Sequence, residues 1–119
     1  MFFTYTSKKQ GNIHILKLTG ELIDKNQAEK LIQEVNDIIS NNHVRFVVDL
    51  GELKYLNSSG LTILIQILTK ARKAGGEAVI AHVSKRIKDL LVITKLNTIF
   101  TITESVESGI TKLNKLASN

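Results

Sequence analysis

A chain of 119 residues, 43% hydrophobic and 23% charged, can bury one apolar core but is too short for two, so one domain over 1–119 is expected and disorder is excluded. Having no cysteine, it has no disulfide, thiolate metal site or cysteine nucleophile. The net charge of +5 comes from scattered lysines and arginines, and none of the four Phe and two Tyr interleaves with a basic run, so direct nucleic-acid binding is not expected.

At the amino terminus the charges follow the apolar residues, the reverse of a secretory leader, and no apolar run approaches the ~20 residues that span a bilayer. The expectation is a cytoplasmic protein without membrane insertion. Phe3–Lys8 reads as a strand, Lys9-Gln10-Gly11-Asn12 as a turn and Ile13–Leu18 as a second strand. In that second strand Ile13, Ile15 and Lys17 share one face and His14, Leu16 and Leu18 the other, which implies burial on both sides at one end. Gly20 is expected to end the hairpin.

From Asn26 to Ser40 the apolar residues Ala28, Leu31, Ile32, Val35, Ile38 and Ile39 recur at helical spacing, with Asp24 or Asn26 as cap. Val44–Leu50 is a β-branched-rich strand, and a loop is predicted from Gly51 to Asn57. A second amphipathic helix is expected from Ser59 to Ala74, stopped by Gly75-Gly76. Ala78–Ala81 follows as a buried strand, then a short helix capped by Ser84 and carrying Ile87, Leu90 and Leu91. Ile99–Ile102 is a last strand, and Val106, Ile110 and Leu113 mark a terminal helix. The order β-β-α-β-α-β-α-β-α predicts an α/β domain whose mixed, mostly parallel sheet is covered by helices.

Chemistry concentrates at Asn57-Ser58-Ser59-Gly60, where a loop enters a helix. The first turn of a helix carries unpaired N–H groups and partial positive charge, which suits both a capping side chain and a phosphate. Elsewhere the pattern is poor in catalytic signals. His14, His43 and His82 lie singly, without metal-ligand spacing. Neither a P-loop, a dinucleotide fingerprint nor a nucleophile elbow is present. No catalytic residue, no metal and no cofactor are therefore expected.

Together, Leu18-Thr19-Gly20-Glu21-Leu22, Val47-Val48-Asp49-Leu50, Leu53-Lys54-Tyr55-Leu56-Asn57-Ser58-Ser59-Gly60-Leu61, Ala74–Ile80 and Ser84–Leu96 resemble the STAS family of bacterial anti-sigma factor antagonists and sulfate-transporter tails. The resemblance implies partner switching. A serine protein kinase, often the anti-sigma factor itself, phosphorylates the first serine of an Asp-Ser-x-Gly motif, here Ser58. The unphosphorylated domain binds the anti-sigma factor, and a phosphatase restores it. It further implies a partner-binding surface around Asp24, Asn57, Ser58, Ser59 and Gly60. Alternatives are a STAS module of a transporter complex or signalling scaffold, and a small-ligand-binding α/β domain. Two residues depart from the family pattern: Asn57 replaces the motif's aspartate, and Ile23 is an extra residue before Asp24.

Overall fold

Alternating strand and helix patterns resolve in the computed structural model, which describes residues 2–117, into five strands and four α-helices. Strands β1 (Phe3–Gln10) and β2 (Ile13–Leu22) form an antiparallel hairpin. A 3-10 turn (Lys25–Ala28) leads into α1 (Glu29–Ser40), followed by β3 (Arg45–Leu56), α2 (Ser58–Lys73) and β4 (Glu77–Ala81). Helix α3 (Lys85–Ile93), a second 3-10 turn (Leu96–Thr98), β5 (Thr101–Thr103) and α4 (Val106–Ala117) complete the chain. No helix of the described residues is long and apolar enough to cross a membrane.

The strands lie in the order β1-β2-β3-β4-β5, with every pair after the first parallel. Because the sheet advances one strand at a time in one direction, right-handed crossovers place α1, α2 and α3 on the same face. Their apolar stripes meet Leu16, Leu18, Phe46, Val48, Leu50 and Ile80 there in the main core. Among the described residues only α4 covers the other face, where Leu113 packs with Ile13, Val47, Val79 and Ala81. The mixed apolar pattern of β2 follows from this: Ile13 and Ile15 lie under α4, whereas Lys17 on the same face is exposed.

Three boundaries differ from expectation. Gly20 is the last residue of β2 paired with β1, but it does not end the strand: β2 continues beside β3 to Leu22, and the Glu21 amide donates to the Phe2 carbonyl at 2.9 Å. Residues 51–56 are strand and not loop: β3 pairs with β2 through two register shifts, beside Lys17/Thr19 and Gly20/Glu21. Such bulges tolerate the charged and glycine residues that made the segment read as a loop. Thirdly, the last strand begins at Thr101, and Phe100 is a buried anchor before it.

Since β4 pairs only with Arg45–Asp49 of β3, the rest of β3 runs on beside β2 alone. That extension, which β1 flanks as far as Gly20, carries the start of α2 beyond the last pair of β3 with β4. At its other end α2 stops as expected. Gly75, at φ +90°, donates to Arg72 O at 3.0 Å and Gly76 to Ala71 O at 2.8 Å, the paired bonds of a Schellman ending.

Candidate functional site at the start of α2

Asn57 is the residue that starts α2. Its backbone is extended, and its side-chain Oδ1 accepts the Gly60 amide at 3.1 Å while its carbonyl accepts from Leu61 at 2.9 Å. The amides of Ser58 and Ser59 are left without a partner among the described residues. Those two donors, together with the helix dipole, are what a phosphate or carboxylate at this point would meet.

Ser58 is exposed, and its hydroxyl makes no hydrogen bond among the described residues; only its carbonyl is engaged, by Thr62 Oγ1 at 3.0 Å. Ser59 is half-buried. Gly60 is buried, and a Cβ there would run into the Leu22 carbonyl and the Leu56 side chain. Glycine at this position therefore lets α2 lie against the end of β2, which fixes where Ser58 emerges.

The sequence's two departures from the family pattern meet one another. Asn57 Nδ2 donates to the Ile23 carbonyl at 3.0 Å, and the Asn57 amide donates to Leu22 O at 3.4 Å. An aspartate could still accept from Gly60 but could not donate to Ile23, so asparagine alone serves both partners. Next in the chain, Asp24 caps the turn before α1: its Oδ1 accepts from the Asn26 amide at 2.9 Å, and Gln27 Oε1 accepts from the Ile23 and Asp24 amides, each at 3.0 Å. Asp24 is exposed on a loop that Asn57 ties to the start of α2, so Asp24, Asn57, Ser58, Ser59 and Gly60 belong to one end of the fold.

On the other flank of Ser58 lies a cleft of about 790 Å³ between the end of β3 and α3. Tyr55, Leu56, Asn57 and Ser58 form one wall, and Lys85, Arg86, Leu90 and Ile93 contribute to the other. Sequence reasoning missed it, although one signal was present. Ile93 and Val92 fall outside the Ile87–Leu91 core stripe of α3, and they are 78% and 52% exposed.

Histidines judged single in the sequence have partners. His14 and His43 touch edge to face, with ring centroids 5.1 Å apart, at the start of β2 and β3. His14 Nε2 is buried without a hydrogen-bond partner, and burial, then the charges of His43 and Lys9, push its pKa down despite the opposing pull of Glu34. His82 Nδ1 lies 3.0 Å from Asp49 Oδ1, which also accepts the Gly51 amide. Sequence spacing cannot show either pairing, because strands 29 or more residues apart bring these side chains together. No group of three or more His, Cys, Asp or Glu suited to a metal occurs among the described residues.

The fold agrees with that of known proteins. The STAS domain family matches residues 4–109, and the chain belongs to that family. A Bordetella bronchiseptica protein named "Putative anti-sigma factor antagonist BtrV" is 26% identical over 88 residues, covering 74% of this chain and 76% of that one. Among solved structures, an anti-sigma factor antagonist from Mycobacterium paratuberculosis superposes with a TM-score of 0.81 at 19% identity, over 95% of each chain. The Bacillus cell fate determinant SpoIIAA in its phosphorylated form superposes with a TM-score of 0.72 at 14% identity, over 92% of this chain and 98% of that one.

Proposed function

We propose that this domain is a cytoplasmic, non-catalytic anti-sigma factor antagonist whose binding to an anti-sigma factor with serine kinase activity is switched at Ser58. The observation that carries the reading is Ser58 itself: an exposed, unbonded hydroxyl at the first position of α2, beside two unpaired amides. Kinase action would move the γ-phosphoryl group of ATP onto Ser58 Oγ, releasing ADP and the hydroxyl proton. A phosphatase would add water and release inorganic phosphate. The modified side chain carries about −1.5 to −2 charges at neutral pH, a large change on a surface used for docking. Asp24 and Asn57–Gly60 form the docking surface on the α1 side. Support also comes from the relatives: the Bordetella bronchiseptica protein and the Mycobacterium paratuberculosis structure both carry the name anti-sigma factor antagonist.

The test pairs the protein with serine kinases of the same genome, using mass spectrometry for the site and calorimetry for the affinity. Phosphate is expected on Ser58 and not on Ser59. Ser58→Ala should bind at least as tightly as the parent, and Ser58→Asp about tenfold or more weakly. Phosphate on Ser59, or equal binding by Ser58→Asp, would refute the assignment. Stable capture by a membrane transporter, with no kinase acting on Ser58, would point to the transporter-module reading instead.

A further inference from the structure

The cleft beside Ser58 is poor in compensating charge. Lys85 and Arg86 stand on its rim, and Asp89 is the one carboxylate among its lining residues. Asp89 is already committed to Lys85, with Nζ–Oδ2 at 3.1 Å. The Arg86 guanidinium has no ion pair or hydrogen bond among the described residues. Both helices that frame the cleft direct their amino-terminal ends to it: α2 through Ser58, α3 through Lys85 and Arg86. Two helix termini and a free guanidinium make it a place where a carboxylate is favoured.

Apart from Asn57 and Ser58, its remaining surface is apolar. Tyr55 and Ile93, 41% and 78% exposed, stand on opposite walls with Leu90 between core and solvent. Tyr55, Leu90 and Ile93 together line one cleft, and a contiguous exposed apolar patch, unlike a lone exposed side chain, marks a contact surface. A single occupant satisfies both properties: a protein segment with a bulky apolar side chain next to an aspartate or glutamate.

We infer that the Ser58–α3 cleft is a second half of the docking surface, which takes an acidic, apolar segment of the partner protein. The inference rests on the partner-switching reading and extends it from the α1 side of Ser58 to the α3 side. It also gives the phosphate a second effect. A phosphoryl group on Ser58 stands at the cleft wall as an anion of the domain's own, and it competes with the partner's carboxylate for Arg86 and the helix termini.

The experiment uses the full chain and the serine kinase whose binding responds to Ser58. On complex formation, amide exchange in residues 85–93 should slow. Arg86→Glu and Ile93→Asp should each weaken the complex about tenfold, and Arg86→Lys less than about threefold, because the lysine keeps the charge. Both sites are exposed, so the variants should melt with the parent, and exchange on the unmutated protein needs no variant. If Ser58→Asp loses binding while Arg86→Glu and Ile93→Asp bind like the parent, or while 85–93 exchanges unchanged, the cleft is overturned and the switch stands. If no kinase binding responds to Ser58, both fall. A small molecule retained in the cleft with kinase affinity unaffected by either variant would assign it to a different occupant.

Discussion

At the start of β2, His14 turns its ring into the main core face, against Phe46 and His43, with Lys9 close by and Nε2 unpartnered. Where β2 ends and β3 hands over to α2, Ser58 stands in water with unpaired amides beneath it. Each end has one charge to gain, a proton at His14 or, on the proposed switch, a phosphate at Ser58. At His14 the new cation is added beside Lys9 on a half-buried ring whose Nε2 is out of reach of water, and the pull of Glu34 does not offset this. At Ser58 the new anion meets helix amides and stays solvated. A surface meant to be rewritten by modification belongs at the second kind of place, where the fold is indifferent to the change and only the docking partner notices it.

That contrast requires α2 to be held firmly, and the largest effects should come from loosening it. Gly60→Val places side-chain atoms where the Leu22 carbonyl and Leu56 already are, so it should cost about 3 kcal/mol and drop the melting temperature by many degrees. Asn57→Ala removes the cap and the tie to Ile23 together; urea unfolding should show a loss of about 1–2 kcal/mol. If Gly60→Val melted with the parent, α2 would not be pinned against β2 and the indifference of Ser58 would need another cause.

Legibility in the sequence divided along the same lines. Every helix announced itself, since α1, α2, α3 and α4 each place apolar residues at three- and four-residue steps over one core face. Capping by Asp24 and Ser84 was readable because it depends on neighbours two or three residues away. The end of β3 was not, because Gly51, Glu52 and Lys54 have strand geometry only through bulged pairing with a strand some thirty residues earlier. The same limit hid the His14–His43 contact, the link between Asn57 and Ile23, and the α3 cleft, all made by tertiary neighbours. The reading of Ser58 as a switch comes from family resemblance. Local pattern gave only a helix start.

A smaller effect tests the His14 end. Folding lowers its pKa below the ordinary 6.5, so between that value and its lower folded one the unfolded chain binds more protons. This contribution to stability is complete above about pH 6.5 and is lost as the pH falls toward the folded value. Urea unfolding from pH 7.5 down to about 5 should show the decline, and His14→Gln should flatten it. Tyr5 has the opposite sense. Burial first, then its 2.7 Å hydrogen bond to Glu34, push it up to about 12, so its contribution holds below about pH 10 and fades above. A His14→Gln variant with the parent's slope would remove the contrast between the two ends.

The smallest change belongs to Ser58. An aspartate there puts a negative charge at the first position of α2, beside two unpaired amides. Exposed charges at helix amino termini contribute about 0.3–1 kcal/mol, and replacing an unbonded hydroxyl forfeits no contact to set against that. Ser58→Asp should therefore unfold at the parent's urea midpoint or slightly above it, with the difference shrinking as salt is added, because exposed charges are screened. Asn57→Asp is the matched control on the same corner. It keeps the acceptor for Gly60 but exchanges the Ile23 tie for two oxygens facing one another, so its dipole gain is offset and its midpoint should sit below that of Ser58→Asp. If Ser58→Asp were clearly destabilised in low salt, the hydroxyl would have a structural partner after all, and phosphorylation would act by disturbing α2 instead of by changing the charge a partner meets.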